Sequence, residues 1–522
     1  MSGAWRLPEA ADAQSTFFSH ALALAALHGP GPWPDGGYPL PDEDPAREQL
    51  MVGSVLDGVR THHFGSAPDP DAAARIADLV ADLVTGPPSQ SACAGLHAAL
   101  AGQPALQVAD GLGGQVRRRG LPADRVRAVG RWLAEYGTRR DAVAGGIVLL
   151  GVAGDGRDRD LLLLLGALED LTLYAVVALA RTQPDPDRAV LEMARRVAAW
   201  GRIQAVERLK GTSDPQIRGW LLREGFRNEV MNEYLAHLAA TTGDLYTAML
   251  DPEPDEALLD GAGGIIDALC AVGGPAKDIR DYPDGPAVIG RYLTLVRDRA
   301  PSLARAAIVL GLGDFLESGE AAGLGWGSGS RDELRDACRV LARRPSWRAV
   351  VEGALADPDL AAFRRALWPA AQLGIPTRQR VRARLRTDPF DGYLWQSLLE
   401  DCPDAEIDDL ITLAQELLPV SELAAGPASS HGIGSGYYPP DHVLDQIVTW
   451  LGAYPGRGWI LIRTALRNPV IRCRNMAIRT LARWPAHAVP AGAAAAVRDA
   501  LQAEPEPNTR DAMEHLLATW NP

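Results

Sequence analysis

The sequence predicts an all-α protein built from irregular helical hairpins stacked on one another, and three observations predict it. Apolar residues recur at three- and four-residue steps along most of the chain. Pro, Gly and Asp interrupt that pattern at intervals of roughly 12–25 residues, the length of a helix and its turn. An acid or amide followed by proline opens several of the helices, and the gaps between such openings (31 residues from 357 to 388, 37 from 214 to 251) match a two-helix repeat.

The clearest opening is Asn468-Pro469-Val470-Ile471-Arg472. Asn caps a helix, and Pro suits the first turn, where its missing N–H would have no intrahelical partner. Val470, Cys473, Ala477, Leu481 and Trp484 then form one stripe, with Arg472, Asn475, Arg479 and Arg483 opposite and Pro485 just past the end. Asp214-Pro215-Gln216-Ile217-Arg218 and Glu506-Pro507-Asn508-Thr509-Arg510 repeat the pattern, and Asp357-Pro358 and Asp388-Pro389 give two further starts. Earlier in the chain, Ala142–Val152 reads as a helix, 154–158 as a polar turn, and the stretch up to Arg181 as two more apolar helices. Arg227 to Thr242 reads as an amphipathic helix with Phe226, Val230, Tyr234 and Leu238 along one face. Residues 319–330, rich in Gly and Ser and lacking periodicity, read as a linker between an N-terminal helical array (1–318) and a C-terminal one (331–522). The C-terminal array carries a long loop at 426–440, and Pro30 to Asp44 reads as an irregular early connection.

These openings resemble those of HEAT repeats, in which Asp-Pro-x-x-Arg begins the second helix of each hairpin. The resemblance implies an α-solenoid in which acid and Arg stack into ladders between neighbouring repeats. It would make Asp214 with Arg218, Asn468 with Arg472, and Glu506 with Arg510 ladder positions; Asp357 and Asp388 depart from it, having Ala361 and Gly392 in the Arg position.

Counting excludes several functions. The 522 residues are 47% apolar and 23% charged, as in ordinary globular proteins. The net charge, 52 − 66 = −14, disfavours nucleic acid and anionic membranes as partners. Lys210 and Lys277 are the only lysines, the arginine bias expected of a GC-rich bacterial genome. Five isolated cysteines form no C-x-x-C pair and give an odd total, which points to a reducing, cytoplasmic setting. Acids precede the apolar stretch Phe17–Leu27, the wrong flank for a secretory signal, and Glu169 and Asp170 interrupt the best membrane candidate, Leu161–Ala180. There is no Walker A loop, no G-x-S-x-G elbow, no H-E-x-x-H, and no strand-borne G-x-G-x-x-G. No catalytic constellation, metal-ligand set or cofactor is therefore expected.

Three stretches stand out as binding candidates. The loop around His431, Tyr437, Tyr438 and His442 concentrates His, Tyr and Gly, and is either a ligand loop or an ordered connection. Arg218, Arg223, Arg227, Glu229 and Glu233 surround Trp220, and form either an anion-binding groove wall or a solvated face of i,i+4 pairs. Arg472 and Arg479 belong to a basic ridge with Arg457, Arg463, Arg467 and Arg483. His62-His63 point apart whether helical or extended, and so do not form a joint metal site. The functional expectation is a non-enzymatic scaffold or adaptor whose concave surface binds a protein or peptide partner, one that accepts an acidic chain. The alternative is an oxidoreductase. The region His431–Pro485 is similar to a bacterial group, some of whose members carry a limonene or monoterpene hydroxylase label, which implies haem, flavin or non-haem iron. The residues here show neither a haem-thiolate loop around Cys270 nor a flavin-type Rossmann start.

Overall fold

A computed structural model describes residues 5–8, 15–43, 67–400, 402–432 and 437–520. His62 and His63 lie outside them. Among the described residues the secondary structure is helical, and the one β-type pairing is an isolated bridge between Ser430 and Val470. The chain divides into two compact units, the first holding the described residues up to 300 and 308–341, the second 301–307 and 342–520.

In the first unit a continuous row of helices packs each on the next but one. Pro70–Thr85 lies on Ala105–Arg119, which lies on Arg140–Ala153, then Glu169–Thr182, Ala199–Glu207, Glu233–Gly243 and Glu256–Cys270. The intervening helices pack against this row. The second unit has a similar row, Leu360–Gln372, Gly392–Leu399, Pro439–Leu451, Ile471–Arg483 and Pro507–Trp520, with two helices instead of one between the second and third members. A close approach joins Ala123–Tyr136 to Arg140–Ala153, at Gly130 and Gly146. A Cβ on Gly130 would sit 2.9 Å from the Gly146 carbonyl oxygen, and one on Gly146 2.8 Å from that of Gly130, so only glycine lets these backbones touch.

Ion pairs join successive helical layers at a recurring spacing. Arg131 reaches Asp158, Arg140 reaches Asp170, Arg188 reaches Asp214, and Arg223 reaches Asp255, over 27, 30, 26 and 32 residues. In the second unit Arg364 pairs with Asp391, Arg378 with Glu406 and Arg474 with Glu504, over 27, 28 and 30 residues. Many of the acids also cap helices. Asp214 accepts from the Gln216 and Ile217 amides, and Asp255 from that of Leu258. Each such residue thus closes one helix N-terminus and ties it to the preceding layer.

The local readings fare unevenly. The helix expected at Ala142–Val152 is Arg140–Ala153, followed by a 3-10 turn at Gly156–Asp158. Leu161–Ala180 is two helices, Arg159–Leu165 and Glu169–Thr182, with Glu169 and Asp170 in the first turn of the second; no described helix is long and apolar enough to cross a membrane. The helix expected from Arg227 begins at Glu233 instead. Asn228 is the cause: its side-chain oxygen accepts from the Val230 and Met231 amides and its NH₂ donates to the Phe226 and Met231 carbonyls, holding the backbone in a turn. Ahead of it, Leu221–Gly225 forms a π-helical turn. Asp359 and Asp391 cap the helices that Asp357 and Asp388 were expected to open, because each Asp-Pro pair forms the preceding turn. Helices Gly319–Gly323 and Ser328–Ala342 run through the stretch that its Gly and Ser content marked as a linker; Ser318 accepts from the Ala321 amide and caps the first.

Candidate functional site

The second unit contains a groove of about 1200 Å³. One wall is the helix Trp459–Ala465 and its continuation to Arg467. Gly458, at φ +67°, turns the chain into this helix and places Trp459 at its start, half-buried. Arg463 and Arg467 follow one turn apart on its exposed face, while Leu461, Ile462 and Ala465 are buried in the core. The facing wall is Ala493–Ala503, where Ala495, Ala496 and Ala503 leave the space open and Asp499 is the one charged side chain of this helix that lines it. Pro419, Val420 and Gly426 close the third side. Gly426 donates its N–H to the Arg467 carbonyl, so the start of the 426–440 loop is fastened to the arginine wall. Arg463 and Arg467 form no ion pair among the described residues, whereas the layer-joining arginines are engaged.

The sequence candidates are dispersed around this groove and beyond it. The first residues of the 426–440 loop are strapped down: Ala428 N–H donates to the Pro469 carbonyl, and Ile471 N–H to that of Ser430. His442 Nε2 bonds the Gly432 carbonyl at 3.0 Å and its ring lies 4.7 Å from that of Tyr437. Tyr438 donates to Glu422, and His431 is exposed. Among the described residues no group of three His, Cys, Asp or Glu side chains could hold a metal ion. Arg472 pairs with Asp445, and Asn468 is fully buried, its NH₂ donating to the Leu423 carbonyl and Asp441. Burial holds the Asp441 and Asp445 carboxyls above the ordinary range, against the Asn468 and Arg472 contacts that lower them. Arg479 is exposed on the face of Ile471–Arg483 away from the core. Arg457 pairs with Asp404 and Asp408, so the basic ridge is not one continuous surface of free cations.

In the first unit the arginines around Trp220 have partners within the fold. Arg218 donates to the Thr242 carbonyl and pairs with Asp244, and Arg223 pairs with Asp255. Arg227 lies over the Phe226 ring, while Glu229 and Glu233 take no bond to Trp220. Trp220 itself is 6% exposed beneath Arg195 and Arg202, whose guanidinium carbons lie 5.8 and 5.4 Å from its ring centre. Burial pushes the Arg202 guanidinium below its usual value, and among the described residues its Nη1 and the Trp220 Nε1 have no hydrogen-bond partner.

The groove itself was missed. Its one sequence signal is the pair Arg463 and Arg467, four apart on a helix, opposite the run Ala493-Ala494-Ala495-Ala496. No known family matches the chain, and no curated protein or solved structure matches it significantly.

Proposed function

We propose that the chain is a non-enzymatic helical-repeat scaffold of the cytoplasm, a HEAT-like solenoid whose second unit holds an extended acidic peptide segment of a partner protein. The observation that carries this reading is the groove with its two unpaired arginines. At about 1200 Å³ it exceeds the roughly 300–1,000 Å³ typical of small-molecule sites. Arg463 and Arg467 outweigh Asp499 at its walls, so it favours an anionic segment although the whole chain is acidic. Next-but-one packing and layer-to-layer ion pairs support the solenoid reading, in which each hairpin buries its apolar face only against its neighbours.

The test is selection of a displayed random 12-residue peptide library on the immobilised full chain, followed by solution binding of the enriched peptides. Enrichment of Asp and Glu, with binding abolished by the double substitution R463E/R467E, is the expected result. Peptides without acidic bias, or binding indifferent to the charge reversal, would refute the groove assignment. An absorbance spectrum and metal analysis of protein purified without added cofactor address the enzymatic alternative. A haem or flavin band, or stoichiometric iron, would overturn the scaffold reading.

A further inference from the structure

The first unit holds a separate concavity that the peptide groove does not involve. It opens on the face of the continuous helical row, between Ala105–Arg119, Arg140–Ala153 and Glu169–Thr182, with Arg208 just past the end of Ala199–Glu207. Its volume is about 230 Å³, the space of roughly eight waters at the ~30 Å³ each occupies in the liquid.

The lining is apolar below and charged at the mouth. Ile147 is fully buried in its floor, and Leu106, Val148, Leu173 and Val177 line it half-buried. Gly151 lies against Ala178, where an added Cβ would come within 3.2 Å of the Ala178 backbone, so small residues bring the two helices together beneath the cavity. Asp110, Arg181 and Arg208 carry the charges of the lining, and all three are exposed. Neither arginine takes a side-chain hydrogen bond or ion pair among the described residues, although Arg140 and Arg188 of the neighbouring layers are engaged in the ion pairs that join them.

We propose that this pocket binds a small amphipathic monocarboxylate, its hydrocarbon body against Ile147 and Leu173 and its carboxylate held by Arg181 and Arg208. Guanidinium groups recognise carboxylates through paired N–H donors, and an apolar floor favours a hydrocarbon body over a hydrated polar one. Asp110 reduces the charge at the mouth to a net +1, which suits a monoanion better than a dicarboxylate or phosphate. The volume admits a metabolite-sized ligand and excludes a peptide.

Calorimetric titration of the full chain with octanoate tests this, with 1-octanol, suberate and inorganic phosphate as comparison probes. Octanoate is expected to bind once per chain, at least tenfold more tightly than octanol or suberate, with no heat from phosphate. R181Q/R208Q should weaken octanoate at least tenfold while leaving octanol unchanged, and A109F, which fills the space from the half-buried rim, should abolish both. Circular dichroism verifies that each variant keeps its helix content. Because these variants leave the peptide groove intact, selected peptides should bind them as before. Absence of octanoate binding at millimolar concentration, equal affinity for octanol, or binding unchanged in folded R181Q/R208Q would overturn the assignment.

Discussion

Replacing Arg474 by Met isolates the deepest charge in the second unit. Arg474 and Glu504 are both fully buried, joined by Nε and Nη2 at 2.6 and 2.7 Å, while Nη1 donates to the Asn468 and Pro469 carbonyls. Met fills a similar volume, so the cost is electrostatic: the Glu504 carboxylate stays buried without its countercharge. Removing one partner of such a pair costs about 3–5 kcal/mol, and two carbonyls losing their donor place this case near the upper end. Replacing both residues, R474M/E504M, removes the stranded charge. The double variant should recover the part due to the stranded charge but not the hydrogen bonds that the Asn468 and Pro469 carbonyls and the Glu506 amide lose, so it stays below the parent by about 2–3 kcal/mol and above R474M. The assay is native-state hydrogen exchange in helices Ile471–Arg483 and Pro507–Trp520, which reads this unit separately from the first. A change below about 1 kcal/mol in R474M, or a double variant as unstable as the single, would refute the reasoning.

Three further perturbations follow from the same contacts. Arg140→Ala leaves Asp42, Glu43 and Asp170, each less than a tenth exposed in its side chain, without their shared cation; the first unit should lose about 3 kcal/mol, and amides of residues 38–43 should exchange faster. Arg280 side-chain N–H groups and the Arg280 and Gly273 amides hold the Asp278 carboxyl down at about 2, despite partial burial. Because the folded value lies below the unfolded one near 3.9, the stabilisation is complete above about pH 4 and lost as pH falls toward about 2, so exchange in 273–281 should accelerate across that window and D278N should abolish the step. Gly130→Ala gains about 1 kcal/mol of helix propensity but drives a methyl to 2.9 Å from a backbone oxygen; thermal unfolding should show a net loss of about 1–3 kcal/mol.

What the sequence makes legible is local. The stripe Val470, Cys473, Ala477, Leu481 and Trp484 is buried as its spacing implies, because side-chain direction on a helix follows from sequence separation alone. The opening at Asp214 is readable for the same reason: cap and proline act within three residues. Arg474 escapes such a reading. It adjoins the stripe residue Cys473, and its partner, Glu504, stands 30 residues away in a doubled acid-proline run, where Glu506, four residues before Arg510, fits the opening pattern and attracts attention instead. The groove is harder still, because its walls come from 415–427, 459–467 and 492–503, none unusual alone. The 426–440 loop is the converse case. Its His and Tyr content singles it out, and nothing in that content announces that its first residues also serve as a strap along 467–471.

The ion pairs spaced 26 to 32 residues apart bear on how such a chain can change over generations. Apart from Arg140, which also holds Asp42 and Glu43, each links one layer to the next, and each acid that caps a helix carries its own closure with it. A duplicated or deleted hairpin would therefore bring or remove one complete joint, leaving the remaining joints in register. Lineages of this chain should differ in length by whole hairpins more readily than by single residues, with the seams falling between an arginine and the acid it reaches.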